Sequence, residues 1–292
     1  MPVEEIRMII DSHVHIFPEE IVKERKKFFK DEPSFELLYS SPNSRLAGSG
    51  DLLDMMDANN IDHAFILGFP WRNIDTARMH NDYLLEMSVR YADRLSCFCC
   101  ADTFADGALQ EVERVLNCGA SGIGEMAFYG RGFDGEVAES LAPVMAICRE
   151  KNAVIILHTN EQIGKPYPGK VPMSIGQIYD LISRFNKNKL VLSHMGGGLC
   201  FFHLMKQSAG VSFENVFYDT AAVPFLYEPI VYQIAMASAG MDKFIFGSDF
   251  PLINPSRYFN DFVKASLPPD LTEALLYNNA KNIFHLPSKQ GS

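Results

Sequence analysis

The sequence lacks any apolar run of about eighteen residues, the length a helix needs to cross a bilayer, and no charged-then-apolar leader opens it. A soluble, cytoplasmic protein is expected, with no membrane partner. No CxxC pair occurs among its six cysteines, Cys97, Cys99, Cys100, Cys118, Cys148 and Cys200. That spacing argues against a thiolate metal site or a disulfide framework, so reduced core thiols are expected. Cations are scarce too. The 26 Lys and Arg face 36 Asp and Glu, a formal net charge of −10, whereas binding a phosphate backbone needs clustered Lys and Arg. The one basic cluster, Lys23 to Lys30, is short and interrupted and reads as a solvated helix face. Nucleic acid is therefore not an expected partner. No GxGxxG follows the first apolar run, so the dinucleotide fingerprint is missing. Internal repeats, low-complexity segments and a domain boundary are also absent.

What is present is a repeated unit. A short apolar run ends in a small or polar residue, then comes a loop, then a stretch with helical spacing. The runs fall at 8–13, 63–68, 95–102, 120–126, 153–159, 189–194, 215–219 and 243–249. Continuous apolar runs bounded by turn signals fit parallel strands buried on both faces. Between them, Leu141, Val144, Met145 and Cys148 share one helical face, as do Leu109, Val112 and Leu116, with Asp106 as the expected N-cap. Leu52, Leu53, Met55 and Met56 mark another helix, ending at Asn59. Leu271 to Leu286 reads as the last one, stopped by Pro287. Two long segments interrupt the repeat. Residues 16–50 should form a helix over Glu19 to Lys30 and a loop ending in a Gly48-Ser49-Gly50 turn. Residues 160–173 should form a proline-rich loop. Both fit a lid or substrate wall.

Eight alternations allow a doubly wound sheet or a closed barrel. The chemistry-bearing residues decide between them. In a barrel they gather at the C-terminal ends of several strands, and here His13, His15, Glu125, His158, His194 and Asp249 all stand at or just past a run's end. A single-domain (β/α)8 TIM barrel spanning residues 1–292 is expected. His13 and His15, two apart on a strand, can aim at one metal. His158, His194 and Asp249 each end a strongly apolar run, where a polar group needs a partner. Singly each reads equally as a satisfied core group; four strand ends together do not.

The segments DSHVH (11–15), His158, HMGGG (194–198), GSDFP (247–251) and NNAKNIFHL (278–286), in this order, resemble the amidohydrolase superfamily, specifically its amidohydrolase-2 branch of metal-dependent TIM-barrel hydrolases and decarboxylases. The resemblance covers Met8 to Leu286. It implies that His13, His15, His158 and Asp249 bind a divalent metal. It further implies that His194 binds a second metal or polarises the substrate, and that Asp249 is the general base. Zinc is the first expectation, one or two ions per chain, with Mn, Fe or Ni as alternatives. A homo-oligomer is implied by the resemblance alone. Glu125, in SGIGEM, resembles the metal-bridging glutamate of the TatD-like branch; the decarboxylase branch generally lacks it. The bland alternative is an ion pair between Glu125 and a cation such as Arg131.

Substrate-side candidates are Trp71 and Arg72 after the second run, Tyr129 after the fourth and Asn160 after the fifth, with Arg131 and Asp219 behind them. His63, His80, His203 and His285 are expected to be structural or at the surface. The first reading is a metal-dependent hydrolase of a small ester, lactone or amide. The alternative is a non-oxidative decarboxylase of a small aromatic or unsaturated acid, similar to the aminocarboxymuconate-semialdehyde decarboxylases. A binding protein on an enzyme fold is the third. Phosphodiester hydrolysis of DNA is disfavoured by the acidity of the chain.

Overall fold

The computed structural model describes residues 8–206 and 213–286. Eight parallel strands run in sequence order around one sheet: β1 (Ile10–His15), β2 (His63–Leu67), β3 (Leu95–Cys99), β4 (Gly122–Met126), β5 (Val154–Leu157), β6 (Leu190–Leu192), β7 (Val216–Asp219) and β8 (Phe244–Ile245). The ends of the sheet meet where Ser12 N donates to Phe246 O at 2.8 Å, His15 N to Phe250 O at 2.7 Å and Asp249 N to His13 O at 2.8 Å. The fold is the expected TIM barrel. Among the described residues no helix is long and apolar enough to cross a membrane.

Period two within the apolar runs separates two cores. Ile10, Phe65, Leu67, Phe98, Ile156 and Ile245 fill the barrel interior, plugged from below by Ile283 and Phe284 of the C-terminal segment. The Phe284 ring centre lies 4.3 Å from that of Phe65. Alternate positions such as Ala64, Ile66, Cys97 and Cys99 face the helices. The run LSCFCC is thus one inward phenylalanine between outward thiols. All six cysteines are free; five are buried, and Cys118 departs from expectation by being exposed.

The helical periodicities mostly hold. Leu141, Val144, Met145 and Cys148 are buried on one helix (Gly135–Glu150), and Leu52, Met55 and Met56 on another (Ser49–Ala58). Helix Ala108–Asn117 is rotated from the expected face. It buries Ala108, Val112 and Val115 while Leu109 is exposed, and its N-cap is Gly107, not Asp106. Gly107 sits at φ 89°, a left-handed value that suits glycine. Gly48-Ser49-Gly50 is no turn. Gly48 is a helix N-cap, and its N–H is taken by Asp51 three residues on. The expected helix over Glu19 to Lys30 shortens to Glu19–Glu24 followed by a 3-10 turn, Arg25–Phe28. The last helix is broken by a π-helical turn, Ala274–Asn278; its stop at Pro287 lies outside the described residues.

The 16–50 insert is anchored by an aromatic knot. Phe17, Phe35, Phe69 and Trp71 pack together, with the Phe35 and Trp71 ring centres 4.5 Å apart. Trp71 Nε1 donates to His80 Nδ1 at 3.0 Å, and His80 Nε2 donates to Ile16 O at 2.8 Å. His80 is therefore a fully buried connector and not a surface group. Burial lowers its pKa to about 4, so the ring is neutral and each nitrogen has a defined role.

The knot carries a prediction. Phe35→Ala should destabilise the protein by about 3–5 kcal/mol through the cavity it leaves, read as a shift in the urea midpoint followed by the emission of the sole tryptophan. A cost below about 1 kcal/mol would mean that the insert is not packed as described.

Candidate metal centre

Two irregularities of register aim the site. Between Asp11 and Val14 β1 advances three residues while β2 advances two, from Ala64 to Ile66. Between Ile123 and Met126 β4 likewise gains one residue on β5. An extra residue reverses which alternate side chains face in. Ile10 is inward before the first bulge, and Val14 is outward after it, so His13 and His15 face the interior. Ile123 and Met126 both face the helices, which leaves Glu125 facing in. Gly124 carries no Cβ where one would lie 2.7 Å from Ile156, and its φ of 150° admits few other residues. The Gly124–Glu125 and Phe250–Pro251 peptide bonds are cis.

His194 and Asp249 sit at left-handed φ of 58° and 60°. After His194 the chain turns through Gly196, where a Cβ would lie 2.6 Å from the Tyr218 ring, and Gly197, where it would lie 2.3 Å from Asn160 O. The close backbone approach expected of HMGGG is what is found.

The side chains converge on the Glu125 carboxylate. Its Oε2 lies 3.8 Å from His13 Nε2 and 3.7 Å from His15 Nε2, which are 3.1 Å apart. Its Oε1 lies 3.1 Å from His158 Nδ1 and 3.5 Å from His194 Nε2, which are 3.2 Å apart. Asp249 Oδ1 stands 3.9 Å from His13 Nε2 and 3.7 Å from His15 Nε2. The outer nitrogens are committed elsewhere. His13 Nδ1 donates to Asp219 Oδ2 at 2.8 Å, His194 Nδ1 to Ala221 O at 2.8 Å, and His158 Nε2 to Gly169 O at 3.0 Å. Each neutral ring therefore turns a lone pair inward. The result is two clusters of acceptors with no donor between them. Such a set is stable only around a cation, either protons or a metal, and buried imidazole and carboxylate donors suit a divalent transition metal.

Protonation follows the same logic. Burial works against charge on His13, but Asp219 and Glu125 outweigh it and raise the ring to about 10. Burial also opposes charge on His158, and Glu125 again overcomes it. The Glu125 carboxyl is opposed by burial yet held well below its usual range by His158 and His13. For His15, burial and the neighbouring His13 lower the pKa.

The sequence-derived residues fall into two groups. His13, His15, Glu125, His158, His194 and Asp249 come together. Glu125 pairs with histidines, while Arg131 is taken up by Asp134 and Glu136. Tyr129 lines the cavity above the donors. Three substrate-side expectations are corrected. Trp71 is fully buried in the aromatic knot, and its chain neighbours Phe69 and Pro70 line the cavity instead. Arg72 is exposed outside the cavity, its backbone N–H bonded to Glu32 at 3.0 Å. Asn160 is buried and clamps the 160–173 loop, accepting from Val171 N at 2.7 Å and donating to Val171 O at 3.1 Å. Asp219 is an orienter and not a substrate group, since Oδ1 also accepts from His194 N at 2.8 Å. A buried aspartate ending β7 was the available signal. Asp11 has no role in the sequence reading; its Oδ1 accepts from Ser248 N at 2.9 Å and His13 N at 3.3 Å, tying β1 to the segment after β8. His63 is buried against Ser96 at 2.9 Å, His203 meets Tyr218 at 2.9 Å, and His285, exposed and just past the last helix, meets Lys189 at 3.0 Å.

Above the donors opens a cavity of about 730 Å³, a volume suited to a small organic molecule. Its walls come from the insert (Leu38, Tyr39, Arg45), the 160–173 loop (Tyr167, Gly169) and the loops after β7 and β8 (Phe225, Leu252).

A family model described as Amidohydrolase matches residues 10–286. No curated relative matches the chain in sequence. Among solved structures, 5-carboxyvanillate decarboxylase from Sphingomonas paucimobilis is 17% identical with a TM-score of 0.74, over 96% of this chain and 99% of that one. The Novosphingobium aromaticivorans 5-carboxyvanillate decarboxylase, complexed with manganese and a nitrobenzoic acid, is 16% identical with a TM-score of 0.73, over 96% of both chains. A provisionally named 2-pyrone-4,6-dicarboxylic acid hydrolase from Pseudomonas putida is 16% identical with a TM-score of 0.68, over 95% of this chain and 97% of that one. At these identities the likeness is one of fold.

Elemental analysis of the purified protein should find about two divalent ions per chain, falling to one or none in Glu125→Gln. Asp219→Asn should weaken metal affinity by about 10–100-fold, because it removes the partner that orients His13. Asp219 and Glu125 raise His13 to about 10, which favours the imidazolium form, with a second ring proton, in the metal-free protein at pH 8. Metal uptake at pH 8 should therefore release protons, seen as a binding enthalpy that varies with buffer ionisation enthalpy, and affinity should fall as pH is lowered. Uptake without proton release would contradict the donor arrangement.

Proposed function

The chain belongs to the amidohydrolase family, and from that premise we propose that it is a metal-dependent hydrolase cleaving an ester, lactone or amide bond in a small organic molecule. The observation that carries this reading is the Glu125 carboxylate, which offers one oxygen to the His13–His15 pair and the other to the His158–His194 pair. A carboxylate shared between two donor pairs fits two ions, an arrangement suited to presenting water and holding a developing oxyanion. Zinc suits this donor set, and manganese, iron or nickel can occupy it. When bound, the divalent cation supplies Lewis acidity and brings the ionisation of water toward neutral pH.

The chain's own groups do the rest. Asp249, beside the His13–His15 pair, accepts a proton from the attacking water at its carboxylate. The hydroxide oxygen bonds to the acyl carbon, the bond to the leaving oxygen or nitrogen breaks, and Asp249 returns the proton to that leaving atom. Asp219 holds the His13 ring and the His194 backbone in register. Apolar walls such as Phe69, Phe225 and Leu252 limit bulk water around the reacting bond.

Decarboxylation of a carboxylated aromatic is the second reading. It is favoured by the similarity in fold to decarboxylases acting on such acids. The two separate by product. The metal-loaded protein should hydrolyse members of a panel of lactones, esters and amides, and Asp249→Asn should lower kcat by about a hundred- to ten-thousand-fold. Release of CO2 from carboxylated aromatics, with no hydrolysis in the panel, would replace the first reading with the second.

A further inference from the structure

The donors at the base of the cavity act on one part of a substrate, and the walls select the remainder. Those walls are largely apolar and aromatic, with Leu38, Tyr39, Phe69, Tyr129 and Leu252 among them. Among the described residues Arg45 is the one arginine or lysine that lines the cavity. No described carboxylate lies within ion-pairing distance of it. Arg131, after β4, is by contrast committed to Asp134 and Glu136.

The backbone on both sides of Arg45 is pinned. Arg25 Nη1 donates to Ser44 O at 2.6 Å, Ser44 Oγ donates to Leu38 O at 2.7 Å, and Phe17 N donates to Ala47 O at 2.8 Å. Phe17 itself belongs to the aromatic knot. The backbone at Arg45 is therefore set by the fold and not by a loose loop, and its exposed side chain stands on the cavity wall. The charge pattern of the cavity is correspondingly divided, with Glu125 and Asp249 among the acceptors at the base and one uncompensated cation on the insert wall. With cations held by the donors at the base, Glu125 and Asp249 are neutralised there, and an anionic group on the remainder of a ligand meets Arg45 as the cationic side chain of the wall. The planar guanidinium, with its fork of donors, matches a carboxylate in shape as well as sign.

We propose that the substrate is an aromatic or similarly apolar ester, lactone or amide that also carries a carboxylate, and that Arg45 binds this carboxylate while the scissile bond lies at the Glu125–histidine donors. The proposal rests on the hydrolase reading and narrows it to a substrate class.

The test uses metal-loaded protein with 4-carboxyphenyl acetate and its neutral isostere 4-carbamoylphenyl acetate. The readout is the ratio of their kcat/KM values in wild type, Arg45→Met and Arg45→Lys, so that intrinsic reactivity cancels. A charge-assisted contact of this kind should make the ratio fall by at least about tenfold in Arg45→Met, chiefly through KM for the carboxylate, with partial recovery in Arg45→Lys. The same ratio in wild type and Arg45→Met overturns the assignment. If wild type cleaves neither ester, the hydrolase reading fails separately. The recognition claim is then read by calorimetry, with 4-hydroxybenzoate against 4-hydroxybenzamide. A selective loss of about tenfold for the carboxylate in Arg45→Met supports Arg45 as its site; an unchanged selectivity rejects it.

Discussion

Acceptors cannot face one another in a buried space without a cation between them, and the upper half of this barrel is organised around that constraint. Imidazole lone pairs from β1, β5 and β6 and carboxylates from β4 and β8 converge within a few ångströms. The outer hydrogen bonds of His13, His158 and His194 hold those three rings in this orientation. Without a metal, Asp219 and Glu125 favour the charged form of His13, and Glu125 that of His158, against the cost of burial. A divalent cation held by His13, His15, Glu125, His158 and His194 would take the place of that positive charge. Metal site and fold stability are thus coupled through shared residues.

The barrel alone does not create this convergence. A regular β1 would send His13 and His15 into the helix layer, and a regular β4 would send Glu125 there. One extra residue in each of these strands turns them inward. The same alternation that builds a dry interior from Phe65, Phe98 and Ile156 is locally broken where polar groups are required at the mouth.

Much of this was legible in the amino-acid order. Short apolar runs at a regular interval encode strands buried on both faces, and polar residues that end such runs must find partners. That logic placed His13, His15, His158, His194 and Asp249 at strand ends, and the order of motifs pointed to the family. Other features were not legible, for physical reasons. A bulge changes register without changing the apolar pattern. Trp71 stands in a loop at the active end, yet a large ring takes whichever apolar space is nearest, and Phe17 and Phe35 provide it. Leu109 and Val115 compete for one helical face, and tertiary packing chose Val115. Tyr39 and Arg45 reach the cavity only because the insert folds back over the barrel, a long-range contact that no local spacing encodes.

The bond from His158 to the Gly169 carbonyl joins a wall of the cavity to a donor at its floor. If the 160–173 loop swings away, His158 loses the acceptor that fixes its tautomer, and the proton can move to the nitrogen facing Glu125. An acceptor then becomes a donor, and the hold on a cation weakens. The described hydrogen bonds of residues 38–45 run to Arg25 and within the insert and touch none of the donors. Displacing the Gly169 wall would therefore disturb the floor, whereas displacing the insert wall would leave the hydrogen bonds of the donors intact.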